Sequence, residues 1–210
     1  MNELPKTNMK TLNLIKFSLI AAVTLMLAGC DSISGSGGGA SAADQQKRQQ
    51  AMASSDHLIV PGERIGPIRL GMGMDEVAAT LGQPDVAYKP FTGHDFVTWN
   101  YLSLNLIVNF SEGAAPTVTS IKTTAWSRSG QALPLASSTW ADFNPINAVF
   151  QTANGVELGS TSFEAARAYS SYSYQQDSYS TEMNFNKLGI QFVIEQADHK
   201  ITCISIFQNN

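Results

Sequence analysis

Beyond residue 57 the apolar positions fall into short runs with period two, separated by turn residues. Leu104, Leu106, Val108 and Phe110 alternate with polar neighbours, and so do Leu188, Ile190, Phe192 and Ile194. This is the pattern of half-buried β-strands. Each run has a partner before it and one after it. Phe96–Tyr101 and Val118–Thr123 flank the first, while Thr181–Phe185 and Ile201–Phe207 flank the second. Ser111-Glu112-Gly113 and Gln196-Ala197-Asp198 occupy matching turns.

Upstream of each strand set lies a second repeated pattern. Ile68-Arg69-Leu70-Gly71-Met72-Gly73-Met74-Asp75-Glu76-Val77 and Val156-Glu157-Leu158-Gly159-Ser160-Thr161-Ser162-Phe163-Glu164-Ala165 both run from an apolar residue through Leu-Gly to an acidic helix start. Thr161 or Ser162 can cap the second helix, and acidic side chains suit the first turn of either, where the helix dipole favours negative charge. Leu81-Gly82-Gln83-Pro84 supplies a stop for the first, with glycine at the end and proline beyond it. The expected fold is α+β, with two tandem units of short helix packed on antiparallel sheet, at 57–130 and 131–210. Trp126 and Trp140 fall in the connection, beside Pro134 and Pro145, where they are expected to wedge the units together.

The N-terminal part reads differently. Lys6, Lys10 and Lys16 precede an apolar stretch, Phe17–Ala28, that ends in Leu27-Ala28-Gly29-Cys30. A basic start, a short apolar stretch and small residues are the parts of a secretory signal. The stretch is shorter than the roughly 20 apolar residues of a membrane span. Residues 31–55 follow, rich in Gly, Ser, Ala and Gln with no apolar periodicity. Their composition predicts a flexible tether, in which 42–53 forms at most a transient helix with nothing apolar to pin it. The expected organisation is therefore a signal over 1–29 and a linker over 30–56, ahead of the two units.

Charge and chemistry narrow the classes. The formal charge is −4, and removing a signal that carries Lys6, Lys10, Lys16 and Glu3 leaves −6. An acidic domain of this kind is a poor partner for nucleic acid. His57, His94 and His199 are scattered, without the short spacing of a zinc site, and no Gly-x-Ser-x-Gly elbow is present. No catalytic residue, metal or cofactor is expected. The two cysteines are Cys30 and Cys203. The second lies in a strand pattern, where a free cysteine behaves as a small buried apolar residue. A binding surface is suggested by Tyr169–Ser180, a tyrosine–serine stretch with few charges, since tyrosine gives rigid contact area at low entropic cost. Tyr172, Tyr174 and Tyr179 are its candidate contacts, and Trp99 and Tyr101 are the candidates in the first unit. Packing between helix and sheet is the competing role for all five.

Two resemblances rest on these residues. Leu27-Ala28-Gly29-Cys30 resembles the lipobox of bacterial lipoproteins, which implies lipid on the Cys30 thiol and cleavage before it. The chain would then be held in a bacterial membrane, facing the periplasm. Asp31 after the lipidated cysteine resembles the inner-membrane retention signal of enteric bacteria. The second resemblance is to the BamE-like (SmpA/OmlA) lipoprotein domain, carried by Gly66-x-Ile68-x-Leu70-Gly71-Met72, Asp75-Glu76-Val77, Leu81-Gly82-x-Pro84 and Trp99-x-Tyr101. A tandem pair resembles the β-lactamase inhibitor protein. Helices there cover one face of the sheet, the other face and its loops bind a protein, and neither family supplies catalytic residues. The implied role is to bind another envelope or secreted protein, as an accessory or scaffold of envelope assembly or as an inhibitor of a hydrolase. A small-ligand or glycan binder is the third reading.

Overall fold

A computed structural model describes residues 40–88, 97–125, 150–176, 181–195 and 197–209. Cys30, Asp31, Trp126, Trp140 and Tyr179 lie outside these residues. In chain order the elements are α1 (Ala42–Ser54), β1 (Leu58–Val60), β2 (Arg64–Ile65), β3 (Ile68–Arg69), α2 (Met74–Leu81), β4 (Val86–Tyr88), β5 (Thr98–Tyr101), β6 (Leu106–Phe110), β7 (Val118–Thr124), β8 (Gln151–Thr152), α3 (Ser162–Ala168), β9 (Ser173–Gln176), β10 (Thr181–Phe185), β11 (Ile190–Ile194) and β12 (Ile201–Phe207). The fold is mixed α+β.

Two sheets organise it. The larger has eight strands in the order β4-β5-β6-β7-β12-β11-β10-β9, and every neighbouring pair is antiparallel. The smaller has the order β3-β2-β1-β8, in which β1 and β8 pair in parallel, Leu58 beside Gln151 and Ile59 beside Thr152. Alternation decides which side chains meet the core. Trp99, Tyr101, Leu106, Val108, Phe110, Ile121, Ile204, Ile206, Ile190, Phe192, Met183 and Phe185 share one face and are buried with Val77 and Leu81 of α2 and Ala165 of α3.

The two helices enter the sheet by the same set of hydrogen bonds. Gly71 N–H donates to the Val118 carbonyl, and Val118 N–H donates to Met72. Likewise Gly159 N–H donates to Ile201, and Ile201 N–H donates to Ser160. Gly71 and Gly159 both adopt left-handed backbone, at φ 85° and 87°, a conformation that glycine takes without steric cost. Each helix is then closed by a glutamate at its third position. Glu76 Oε2 accepts from Gly73 N–H at 2.7 Å, and Glu164 Oε2 accepts from Thr161 N–H at 2.6 Å. Thr161, not Ser162, is the N-cap of α3, and its hydroxyl accepts from Glu164 N–H. One-turn 3-10 segments join β5 to β6 and β10 to β11, each ending in a left-handed residue, Asn105 (φ 54°) and Gly189 (φ 68°).

Helix α1 corrects an expectation. The sequence offers no apolar stripe to hold it, and it is nevertheless docked on α2, through a cation. Arg48 is 2% exposed. Its Nη1 donates to both Asp85 carboxylate oxygens at 2.8 Å and to Ser103 Oγ, its Nε to the Leu81 carbonyl, and its Nη2 to the Gln83 carbonyl. The guanidinium carbon also stands 4.9 Å from the centre of the Tyr101 ring. Asp44 adds a contact, accepting from Gln83 N–H at 2.9 Å. The carbonyls at the C-terminal end of α2 would otherwise lack partners, and the cation supplies their donors. Gly82 is required at this junction, since a Cβ there would fall 2.7 Å from Asp44 Cβ.

Candidate functional site

The eight-stranded sheet has a second face, opposite the core. Register places Asn100, Ile107, Lys122, Ser205, Gln191, Asn184 and Ser173 along one row across it. Thr98, Asn109, Ser120 and Phe207 form the row on one side, and Thr124, Cys203, Val193, Glu182 and Gln175 the row on the other. The composition is mainly amide and hydroxyl with a few apolar positions between. Such a surface suits a protein contact better than it suits a core.

Cross-strand hydrogen bonds order the face. Thr98 Oγ1 donates to Asn109 Oδ1, and Asn109 Nδ2 donates to Ser120 Oγ, both at 2.8 Å. In the other half Gln191 Nε2 donates to Glu182 Oε2 at 2.8 Å. These pairs fix rotamers before any partner arrives, which lowers the entropic cost of binding. Asn100 Oδ1 is buried on this face without a hydrogen-bond partner. An unmet buried acceptor costs about 1–3 kcal/mol.

None of the described residues chosen from sequence lies on this face. Tyr101 is fully buried and its hydroxyl donates to the Gly82 carbonyl at 3.1 Å. Burial raises its pKa well above the ordinary phenol value. Trp99 is 8% exposed and packs edge-on against Phe110, with ring centres 4.9 Å apart. Both point to the core because the register of β5 with β6 pairs them with Leu106 and Val108. They cannot form a contact surface in this state. Tyr172 and Tyr174 also stand on the core side of the sheet, but at its β9 rim, where they are 46% and 54% exposed. Tyr172 still leans on Phe185, with ring centres 5.5 Å apart. Tyr169, half-buried, completes that aromatic cluster against Phe185 and Phe192.

Cys203 faces the open side, not the core, because β11 pairs it with Val193 and β7 with Thr124. It is free and half-buried, and desolvation pushes its thiol pKa up, so it is not poised as a nucleophile. His199 sits in the turn before β12 with φ 55°. Glu195, near the same turn, is buried and accepts from the backbone N–H groups of Ala197 and Asp198 at 2.6 and 3.0 Å. Desolvation raises its pKa first, and the neighbouring Asp198 adds to the rise. It acts as a turn anchor. Among the described residues no group of three His, Cys, Asp or Glu side chains could hold a metal, and no helix is long and apolar enough to cross a membrane.

The individual residues of the open face and Arg48 escape sequence reasoning for different reasons. The face carries too few apolar residues to draw attention. Arg48 lies in a polar helix whose only signal is a capping box, Ser41 with Asp44.

No family model matches the chain, and no curated protein matches it. Two solved structures share some of its shape. One is an extracellular protein containing a SCP domain from Bacillus anthracis, at 8% identity and a TM-score of 0.37, covering 67% of this chain and 44% of that one. The other is a cysteine-rich secretory protein from Staphylococcus aureus, at 13% identity and a TM-score of 0.40, covering 70% of this chain and 46% of that one. The chain spans less than half the length of either.

Proposed function

We propose that this chain is a lipid-anchored bacterial envelope protein, facing the periplasm, that binds another protein through the open face of its eight-stranded sheet. Within that reading it serves as an accessory or scaffold in envelope assembly or maintenance. The chain is built as two tandem units of helix and antiparallel sheet, joined where β7 meets β12. What supports the tandem reading is the matched set of hydrogen bonds at Gly71 and Gly159, together with a sheet order that runs outward alike from the β7–β12 junction. What supports the anchor is Leu27-Ala28-Gly29-Cys30 after a short apolar segment.

One observation carries the binding surface. The face opposite the helices is ordered by cross-strand amide and hydroxyl pairs. The expected contacts are the amides, hydroxyls and apolar side chains around Lys122 and Gln191. The test is crosslinking and affinity recovery of the native protein from its own membranes, repeated with Lys122→Glu and Gln191→Arg. Partner recovery should fall about tenfold, as for loss of a central interface contact, while the circular dichroism spectrum stays unchanged. Undiminished recovery with both variants would remove the open face from the reading.

A second reading is inhibition of a periplasmic or secreted hydrolase, supported by the resemblance of the paired sequence patterns to the β-lactamase inhibitor protein. The two separate on the anchor. An accessory factor needs Cys30, whereas an inhibitor works without it. Function kept after Cys30→Ala would turn the assignment toward the inhibitor.

A further inference from the structure

The eight-stranded sheet ends in two edges, and only one is protected. An unprotected edge presents a row of free backbone N–H and C=O groups, and proteins that stay monomeric blunt it with charge, proline, a bulge or a very short strand. Strand β4 is blunted in this way. It has three residues, starts two positions after Pro84, and is preceded by Asp85, whose carboxylate is held by Arg48 and by Leu102 N–H. Strand β9 carries no charge, proline or bulge within its four residues, and its nearest charge in sequence is Asp177 after its end. Its residues, Ser173-Tyr174-Gln175-Gln176, are all exposed and uncharged, and they pair with β10 in an unbroken register of four residues. From Tyr169 to Gln176 the chain carries no charge and no proline. Among the described residues nothing pairs with its outer edge.

Two further features mark this edge. Ser171 enters the strand at φ 65°, a left-handed conformation that a serine adopts only at a cost of order 1 kcal/mol. Tyr172 and Tyr174, two residues apart, stand on the same side of the strand and remain about half exposed.

We infer that β9 pairs with β9 of a second copy of this chain, joining two eight-stranded sheets edge to edge. The sequence of the strand is what selects a second copy. A twofold axis perpendicular to the sheet keeps each residue on its own face in both copies. Tyr172 and Tyr174 then meet the same aromatic side chains across the axis, and Ser173 and Gln175 meet the same hydroxyl and amide groups. Both rows are self-complementary, and no charge opposes its own image in a protein that is otherwise acidic. Aromatic cross-strand pairs of this kind each stabilise a sheet by roughly 0.2–1 kcal/mol. A four-residue edge buries less than the roughly 800 Å² per partner of a lasting interface, so the pairing is reversible in solution and is strengthened by confinement in a membrane. It leaves the open face of each sheet free.

The experiment places p-benzoylphenylalanine at Tyr174 in the full chain and irradiates the native membranes, with the same label at Ala87 on β4 as the comparison. The expected product from position 174 has twice the chain mass and contains peptides of this protein alone. The β4 label should give about tenfold less, and Ser173→Lys with Gln175→Lys should suppress the product by a similar factor by placing like charges opposite each other. Circular dichroism on the double-lysine variant checks that it is folded. If that variant unfolds, Gln175→Lys alone is read in its place. No homodimeric product from position 174, equal yields from positions 174 and 87, an adduct to a different protein, or a product that survives the lysines would each overturn the inference.

Discussion

Tyr101 and Phe185 end corresponding strands, β5 and β10, and both are fully buried, yet different things cover them. Over Tyr101 lies the guanidinium of Arg48, delivered by a helix that belongs to neither strand set. Over Phe185 lie Tyr169 and Tyr172, side chains of the segment between α3 and β9. The first half is closed by a polar clamp with defined hydrogen-bond partners, and the second by aromatic rings that stay partly in solvent. The difference teaches that two strand sets of like order need not be closed in the same way. Among the described residues, the exposed rings near a sheet edge are Tyr172 and Tyr174 of the second half.

Breaking the clamp should have the largest effect. Arg48→Met keeps most of the apolar stem and removes every donor. Asp85 and the Leu81 and Gln83 carbonyls then lose their partner in a largely buried site. Breaking a buried ion pair typically costs 3–5 kcal/mol. The Asp85 side chain is 16% exposed and can recover some water, so about 3 kcal/mol is expected, read as a lower urea midpoint. Amide exchange should accelerate first across Ala42–Ser54. In the other half Arg167→Met, at an exposed position of α3, should change stability by less than about 0.5 kcal/mol. Equal losses from the two variants would show that α1 is not what closes the first half.

A smaller and more local contrast lies in the two 3-10 turns. Asn105 and Gly189 take nearly the same left-handed backbone, φ 54° and ψ 32° against φ 68° and ψ 38°. Asparagine is tolerated at the first because its Nδ2 donates to the Thr124 carbonyl at 3.2 Å. At the second a Cβ would fall 2.9 Å from Gly62 Cα and against the Phe207 carbonyl. Gly62 N–H donates to the Gly189 carbonyl there, which draws the loop of the small sheet onto the turn. Gly189→Ala is therefore expected to cost about 2–3 kcal/mol, combining left-handed strain with overpacking. Asn105→Gly should cost about 1 kcal/mol or less, the net value of one hydrogen bond. Thermal melts of the two variants measure the gap. A harmless Gly189→Ala would mean that the small sheet does not press on the second turn.

The same asymmetry explains what the sequence made legible. Strands β6, β7, β11 and β12 could be read because one side of each faces the core, so alternation survives in the residues. The starts of α2 and α3 could be read because acidic first turns are local chemistry. Strands β4 and β9 left no such trace. The described side chains of β4 and all four of β9 are exposed, and an edge exposed on both sides has no apolar rhythm. The small sheet depends on Leu58 and Ile59 lying beside Gln151 and Thr152, a pairing across most of the folded chain that no window of sequence contains. Trp99 and Tyr101 looked like surface candidates because aromatic residues serve cores and interfaces alike, and only the pairing with Val108 and Leu106 distinguishes the roles. Arg48 was missed for the opposite reason. Helix docking is ordinarily sought in apolar stripes, whereas this helix adds only Ala51 and Met52 to the core and is held by a buried cation whose partners lie 33 or more residues away.

The finest test of the comparison is at the helix caps, where the two halves differ by one side chain. Thr161 caps α3 through its hydroxyl, which accepts from Glu164 N–H at 3.2 Å. Its counterpart Gly73 has no side chain and makes only the reverse half of the box, its N–H donating to Glu76. Thr161→Ala should therefore cost about 1 kcal/mol. Gly73→Ser should gain a few tenths of a kcal/mol, because the position has extended backbone (φ −72°) and its nearest neighbour would be Glu76 Oε2, 3.7 Å from the new Cβ. With serine in place the two caps become chemically alike, and the helix starts should then show similar amide protection. If Gly73→Ser instead destabilises the protein, glycine is held at that position by the bridge to Thr117, and the two helix entries differ in the sheet beneath them as well as in the cap.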